Sequence, residues 1–401
     1  MLKRFQSIPD WPLWYGAFRP FFLLTAISAV VYSLAWWGML HHGWRFPGAV
    51  RHPIAWHGHE MMHAVVMASL IGFLLTAMPE FTRSKPASPY TYMVLVLVWL
   101  AGRLAFMSTA SWATWAVFVL DMVPPIWLLH FIWIRVRTDP GRDQRGFLWG
   151  LAALVLVIAG YHLAQLGQDD VMRWLRAQVG VWMIMIVLAM SRISMRIVNM
   201  NLRALEASER VYVARPPRRN LAIMAVGLYT GAEWASLPDS VLGWLAAACA
   251  AALLNLTNDW HLGRVLLRRW VFILYLVYWC MALGYSVMAA AWLAGLPTLS
   301  AGRHVLMMGA IGVSILSVLS IAGRSHAGLK LDPRIWMPLA CALLVTAALL
   351  RVGWPWLIAS PWVLTVSAGA WVTAWTLYLV TFTPVLIGPR EDGRHDASGP
   401  E

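Results

Sequence analysis

The chain has 401 residues, of which 60% are hydrophobic and only 12% charged, with a formal net charge of +13 at pH 7. Its mean hydropathy of +0.64 excludes a set of soluble domains and places the chain in lipid. Excess Lys and Arg is what anchoring against an anionic inner leaflet requires, so membrane lipid is the expected partner and nucleic acid is not.

Crossing a hydrocarbon core of about 30 Å takes roughly 20 apolar helical residues. Such runs fall at 18–40, 59–78, 90–107, 112–134, 147–166, 171–197, 219–236, 240–261, 270–294, 303–322, 335–351 and 356–387. They lack period-2 alternation, and backbone groups in lipid must be satisfied within the segment, so these are helices and not barrel strands. The expected fold is an all-α integral membrane protein with about 12 transmembrane helices. Met1-Leu2-Lys3-Arg4 resembles the start of a signal peptide, but the apolar run begins later and is too long, which makes it an uncleaved first span. Connections after even-numbered spans carry 17 Lys and Arg and those after odd-numbered spans carry six, which predicts cytoplasmic N- and C-termini. The Pro-rich Arg215-Pro216-Pro217-Arg218 in the longest connection divides the chain into six-helix halves at 1–210 and 211–401.

The second span opens on Trp56-His57-Gly58-His59-Glu60-Met61-Met62-His63. Polar groups in hydrocarbon persist mainly where they bind, pair or conduct, so three histidines within seven residues point to metal ligation. His59 and His63 are four apart and share one helix face. Spans two and ten both run from the outer face inward, so His304, with Met307 and Met308, starts on the same side as this cluster. Imidazole suits haem iron and copper, and thioether suits Cu(I). His162 near the outer end of span five is a further candidate, although a single intramembrane His is more simply a hydrogen bond to a neighbouring helix. Arg103, Asp121 and Glu233 lie inside or at the edge of spans three, four and seven, where each is either paired between helices or part of a proton path.

Inner-face residues form a second set: Arg192, Arg196, His261, Arg324 and His326. Guanidinium there suits haem propionates, and simple anchoring accounts for it as well. His304 and His326 are about 33 Å apart along a helix and cannot share one metal. Cys249, Cys280 and Cys341 occur singly, and without Cys-x-x-Cys-His a haem would be b-type and held noncovalently.

His59-Glu60-Met61-Met62-His63 also satisfies H-E-x-x-H, the zinc metalloprotease motif. An intramembrane zinc protease needs a third ligand, usually an Asp in a later span with Asp-Gly context. Asp139 and Asp332 fall in cytoplasmic connections, opposite to the motif, so that ligand is missing at the level of sequence.

Three signatures in the first half, Phe18-Arg19-Pro20-Phe21-Phe22, Trp56-His57-Gly58-His59-Glu60-Met61 and Gly72-Phe73-Leu74-Leu75-Thr76-Ala77-Met78-Pro79, resemble those of the NnrS family. The His304 stretch with Gly309-Ala310-Ile311-Gly312, ending in His326-Ala327-Gly328, resembles it too. The resemblance implies a twelve-span bacterial inner-membrane protein holding haem b and copper, tied to denitrification, nitric oxide metabolism or nitrosative-stress resistance. This chain departs from the family at His63, where Phe is usual, and at Glu80-Phe81-Thr82-Arg83 after Pro79. Ser191-Arg192-Ile193-Ser194-Met195 and Tyr275 depart from it as well, which marks a divergent member.

Together these observations predict an inner-membrane haem- and copper-binding protein with nitric oxide as candidate ligand. The metal ligands expected are His57, His59, His63 and His304, with His57 and His59 first. His326, Arg19 and Arg192 join His57, His59 and His304 as candidate cofactor contacts, and Glu60 is expected to orient a ligand His through its other ring nitrogen. If the chain is an enzyme, it is a haem/copper oxidoreductase acting on nitric oxide or a related small molecule. The alternatives are another membrane redox enzyme, the zinc protease, and a transporter of haem, metal or a small anion, for which two six-helix halves suit alternating access.

Overall fold

A computed structural model describes residues 11–45, 52–141, 144–204, 211–353, 362–391 and 393–394. Arg51, Arg142 and Arg210, which enter the charge count, and the start Met1-Leu2-Lys3-Arg4 lie outside the described residues, as does the proposed division at 210.

Twelve long helices follow the apolar runs, and no strand occurs among the described residues. They are α1 (Phe18–His42), α2 (Pro53–Phe81), α3 (Pro89–Phe106), α4 (Ala113–Thr138), α5 (Arg145–Gly167) and α6 (Val171–Ala204), then α7 (Pro216–Trp234), α8 (Asp239–Trp260), α9 (Arg269–Ala294), α10 (Leu299–His326), α11 (Trp336–Gly353) and α12 (Trp362–Ile387). Eleven are long and apolar enough to cross a membrane. The other, α7, is 19 residues long and carries Arg218, Arg219 and Glu233 near its ends.

Local chemistry sets the boundaries. Pro53, Pro89 and Pro216 stand in the first turn of α2, α3 and α7, where a missing N–H costs nothing. Ser88 caps α3 by accepting from the Thr91 N–H at 3.3 Å. Gly43 and Gly295, both at φ +64°, end α1 and α9 in the left-handed conformation that glycine adopts without a Cβ clash.

Two compact units emerge from the packing, and neither is a continuous half of the chain. The first comprises residues 1–172, 318–334 and 375–401, and so holds α1 to α5 with the last parts of α10 and α12. The second comprises 173–317 and 335–374. α10 and α12 each contribute residues to both units.

Within the first unit α1 packs on α2, α2 and α3 on α4, and α4 on α5. Gly72 of α2 is part of that fit, because a Cβ there would come within 2.9 Å of Phe21 and Phe22 on α1. In the second unit α7, α8, α9, α10 and α11 pack successively. Gly284 and Gly302 bring α9 and α10 close enough for backbone to meet backbone, the small-residue contact that substitutes for hydrophobic driving force in lipid. The two most enclosed helices, α2 and α10, are buried over 89% and 83% of their apolar windows, against 61% or less elsewhere. Both contain a π-helical stretch, Met61–Val66 in α2 and Val305–Gly312 in α10.

Candidate metal centre

α2 carries His59 and Glu60 in the turn just before its π-helical stretch and His63 inside it. In a π-turn the hydrogen bonds run from i to i+5, so the turn is wider and residues four apart come nearly into register. The rings of His59 and His63 accordingly stack, with centroids 4.2 Å apart and planes 10° from parallel. A widened turn also changes which carbonyls are available. Trp99 on α3 donates its indole N–H to the His63 carbonyl at 3.1 Å.

Three neighbouring helices complete the group. Asp121 of α4 lies about 12 Å along its helix from Ala113, and its Oδ2 is 2.9 Å from His59 Nε2, 3.4 Å from His63 Nδ1 and 3.3 Å from His162 Nε2 on α5. One ligand atom from each of these four residues lies within 4.8 Å of every other. Tetrahedral coordination with bonds of about 2.1 Å separates ligand atoms by about 3.4 Å, close to the three distances around Oδ2. Arg103, in the last turn of α3, donates to Glu60 Oε1 at 2.5 Å and makes a short charge-assisted bond to Asp121 Oδ1. It therefore holds both carboxylates.

The centre is dry. His59, His63, His162, Glu60, Arg103 and Asp121 are each 7% exposed or less. Phe106 stacks on His59 at 3.8 Å, Phe118 on His162 at 5.3 Å, and Tyr161 lies 5.2 Å from His59 and 5.1 Å from His162, ring to ring.

Its hydrogen bonding is incomplete in a way that suits a metal. His59 faces a carboxylate at each nitrogen, Glu60 at 3.0 Å from Nδ1 and Asp121 at Nε2. Nδ1 of the fully buried His162 makes no hydrogen bond, and its Nε2 has only the 3.3 Å approach to Asp121. Buried polar groups are otherwise almost always satisfied. Glu60, Asp121 and Arg103 together leave one formal negative charge in the enclosure, which a bound cation offsets.

The zinc-protease motif gains what the sequence lacked. Asp121, reached across 58 residues, takes the place of the missing third ligand, and His162 offers a fourth. Glu60 is held through Oε1 by Arg103 and by His59 Nδ1, while its Oε2 is buried without a hydrogen-bond partner.

The remaining candidates lie elsewhere. His57 is on α2 one residue before the motif's glycine, and its ring stacks on Trp36 of α1 at 4.5 Å. His304 belongs to the second unit, where its Nδ1 bonds the Ser300 carbonyl at 2.7 Å. Half-buried Arg192 is also in the second unit. In the first unit His326 packs its ring 5.8 Å from Phe18 and places Nε2 3.7 Å from Glu80. Arg19 is fully buried and donates to the carbonyls of Leu386 and Gly388. Of the residues predicted as ligands, His59 and His63 come together within the first unit. Arg103, Asp121 and His162 were visible as polar residues in apolar spans, but without a signal that they meet.

A family model, NnrS protein, matches residues 12–390. The chain belongs to the NnrS family. No curated protein matches it significantly. The match runs from the residues just before α1 to just past α12, so the candidate centre of this NnrS family membrane protein lies wholly within the family's common region.

Proposed function

We propose that this chain is an inner-membrane copper-binding protein acting in nitric oxide metabolism or nitrosative-stress resistance, with the metal held by His59, His63, Asp121 and His162. The observation that carries this reading is the convergence of three buried imidazoles on one carboxylate oxygen, with Nδ1 of His162 left without a hydrogen bond. Imidazole-rich donor sets suit copper, and a single added positive charge, as in Cu(I), balances the enclosure. Copper bound there supplies a one-electron redox centre able to take nitric oxide as ligand.

The surrounding residues have definable work. Glu60 fixes the orientation of His59 through Nδ1, as outer partners of metal-bound histidines do. Arg103 holds two carboxylates side by side in an enclosed site. Phe106, Phe118 and Tyr161 exclude water.

Haem, which the family resemblance also implies, fits the described residues less well. His57 and Glu80 are about 34 Å apart along α2, and His326 lies beside Glu80, so His57 and His326 cannot be axial partners.

Zinc on the same donors is the second reading, favoured by the H-E-x-x-H spacing and Asp121. Metal analysis of the purified protein separates the two. About one copper per chain, lost in His162→Ala and kept in His57→Ala, supports the proposal; zinc in place of copper, or no metal in protein purified without chelator and reloaded with copper, overturns it.

A further inference from the structure

Away from the metal centre, the first unit contains a second group of buried charge where α1 begins and α10 and α12 end. Arg19 is 0% exposed and Arg390 4%. Arg19 Nη1 donates to the carbonyls of Leu386 at 3.0 Å and Gly388 at 2.6 Å, and Arg390 Nη1 donates to the His326 carbonyl at 2.7 Å. Those bonds tie down the last turn of α12 and the end of α10, and they account for one nitrogen of Arg19. Its Nε and Nη2 are buried without a hydrogen-bond partner.

These two nitrogens form the side-on edge of the guanidinium, the pair of parallel N–H groups that binds a carboxylate or phosphate in bidentate fashion. Among the described residues Arg19 forms no ion pair with a carboxylate. Arg390 is instead close enough to repel it electrostatically. A guanidinium cannot shed its proton to escape burial. The rings of Tyr15 and Phe18, at 5.7 and 5.5 Å from the guanidinium carbon, offset part of the cost but satisfy no N–H. A buried guanidinium with an open bidentate edge lacks one component, an anion.

We propose that the Nε and Nη2 edge of Arg19, with Arg390 beside it, is an oxyanion-binding site for the carboxylate or phosphate group of a small molecule or of an anionic lipid headgroup. The site is independent of the metal centre, since it shares no residue with it.

The full-length protein in detergent, stripped of lipid, tests this by its thermal unfolding midpoint. One arm titrates inorganic phosphate against chloride at equal ionic strength, and the other adds phosphatidylglycerol against phosphatidylcholine in mixed micelles. A saturable rise with phosphate assigns a soluble oxyanion; a rise with phosphatidylglycerol alone assigns the headgroup. In either case the half-saturating concentration should increase at least tenfold in Arg390→Gln, and in Arg19→Lys, which keeps charge but loses the bidentate edge. Arg390→Gln keeps the α12 carbonyl bonds of Arg19, so it reports on the site even if Arg19 variants misfold. No rise in either arm, or an equal rise in wild type and Arg390→Gln, overturns the proposal.

Discussion

Arg103 lies between two buried carboxylates and is the residue on which the first unit's electrostatics depend. Removing one partner of a buried ion pair costs about 3–5 kcal/mol, because the other charge is left in low dielectric. Arg103→Met should therefore lower the unfolding midpoint sharply in detergent. Adding Glu60→Gln should recover part of the loss, because one uncompensated charge is then removed; a double variant no more stable than the single one would contradict this account. Asp121 acts differently, since its Oδ2 is the point on which the imidazoles converge. Asp121→Asn keeps the shape and removes the charge, and bound metal measured by mass spectrometry should fall at least tenfold. Tyr161 has a buried hydroxyl without a hydrogen-bond partner beside the histidines, so Tyr161→Phe should leave metal content unchanged. At this scale the sequence was informative about residue types and silent about partners. His59 was legible as a candidate ligand because of its company in the motif, whereas His162, alone in its span, read more simply as a hydrogen bond to a neighbouring helix.

At the scale of single helices, the π-turn Met61–Val66 determines how the motif presents its side chains. Deleting Ala64 should restore i to i+4 bonding and rotate the outer end of α2 by about one residue, or 100°. Far-UV circular dichroism should stay helical while bound metal is lost. Retention of metal in that deletion would show that the widened turn is dispensable. Gly72 is the complementary case. Gly72→Ala places a methyl within 2.9 Å of Phe21 and Phe22, and overpacking of this kind costs about 1–3 kcal/mol, read as a lower unfolding midpoint. Depth along these helices was legible beforehand. Span direction alternates, so His59 near the start of α2, Arg103 near the end of α3, Asp121 in the first part of α4 and His162 near the end of α5 all fall toward one side of the membrane. Rotation about each axis was not legible, and neither was the π-turn, because five apolar residues around one histidine read the same in either helix type.

For the molecule as a whole, the Lys and Arg distribution predicts that the connection carrying Lys85 is cytoplasmic and that the one carrying Asp169 is external. Single cysteines placed there test this with an impermeant maleimide, against a low background from the buried Cys249, Cys280 and Cys341. Labelling of intact spheroplasts at position 169 and not at 85 is expected, and the reverse pattern would invert the topology. The number, order and approximate ends of the helices followed from sequence alone. Lipid offers no hydrogen-bond partners, so each span must be a self-satisfied apolar helix, a property carried locally by every run. Only the tertiary structure could gather α10 and α12 into both packing units, or bring Asp121 and His162 to the histidines of α2. Those contacts join residues 58 to 103 positions apart, and they depend on which face each helix turns to its neighbours, a choice made by packing between helices and written in no single segment.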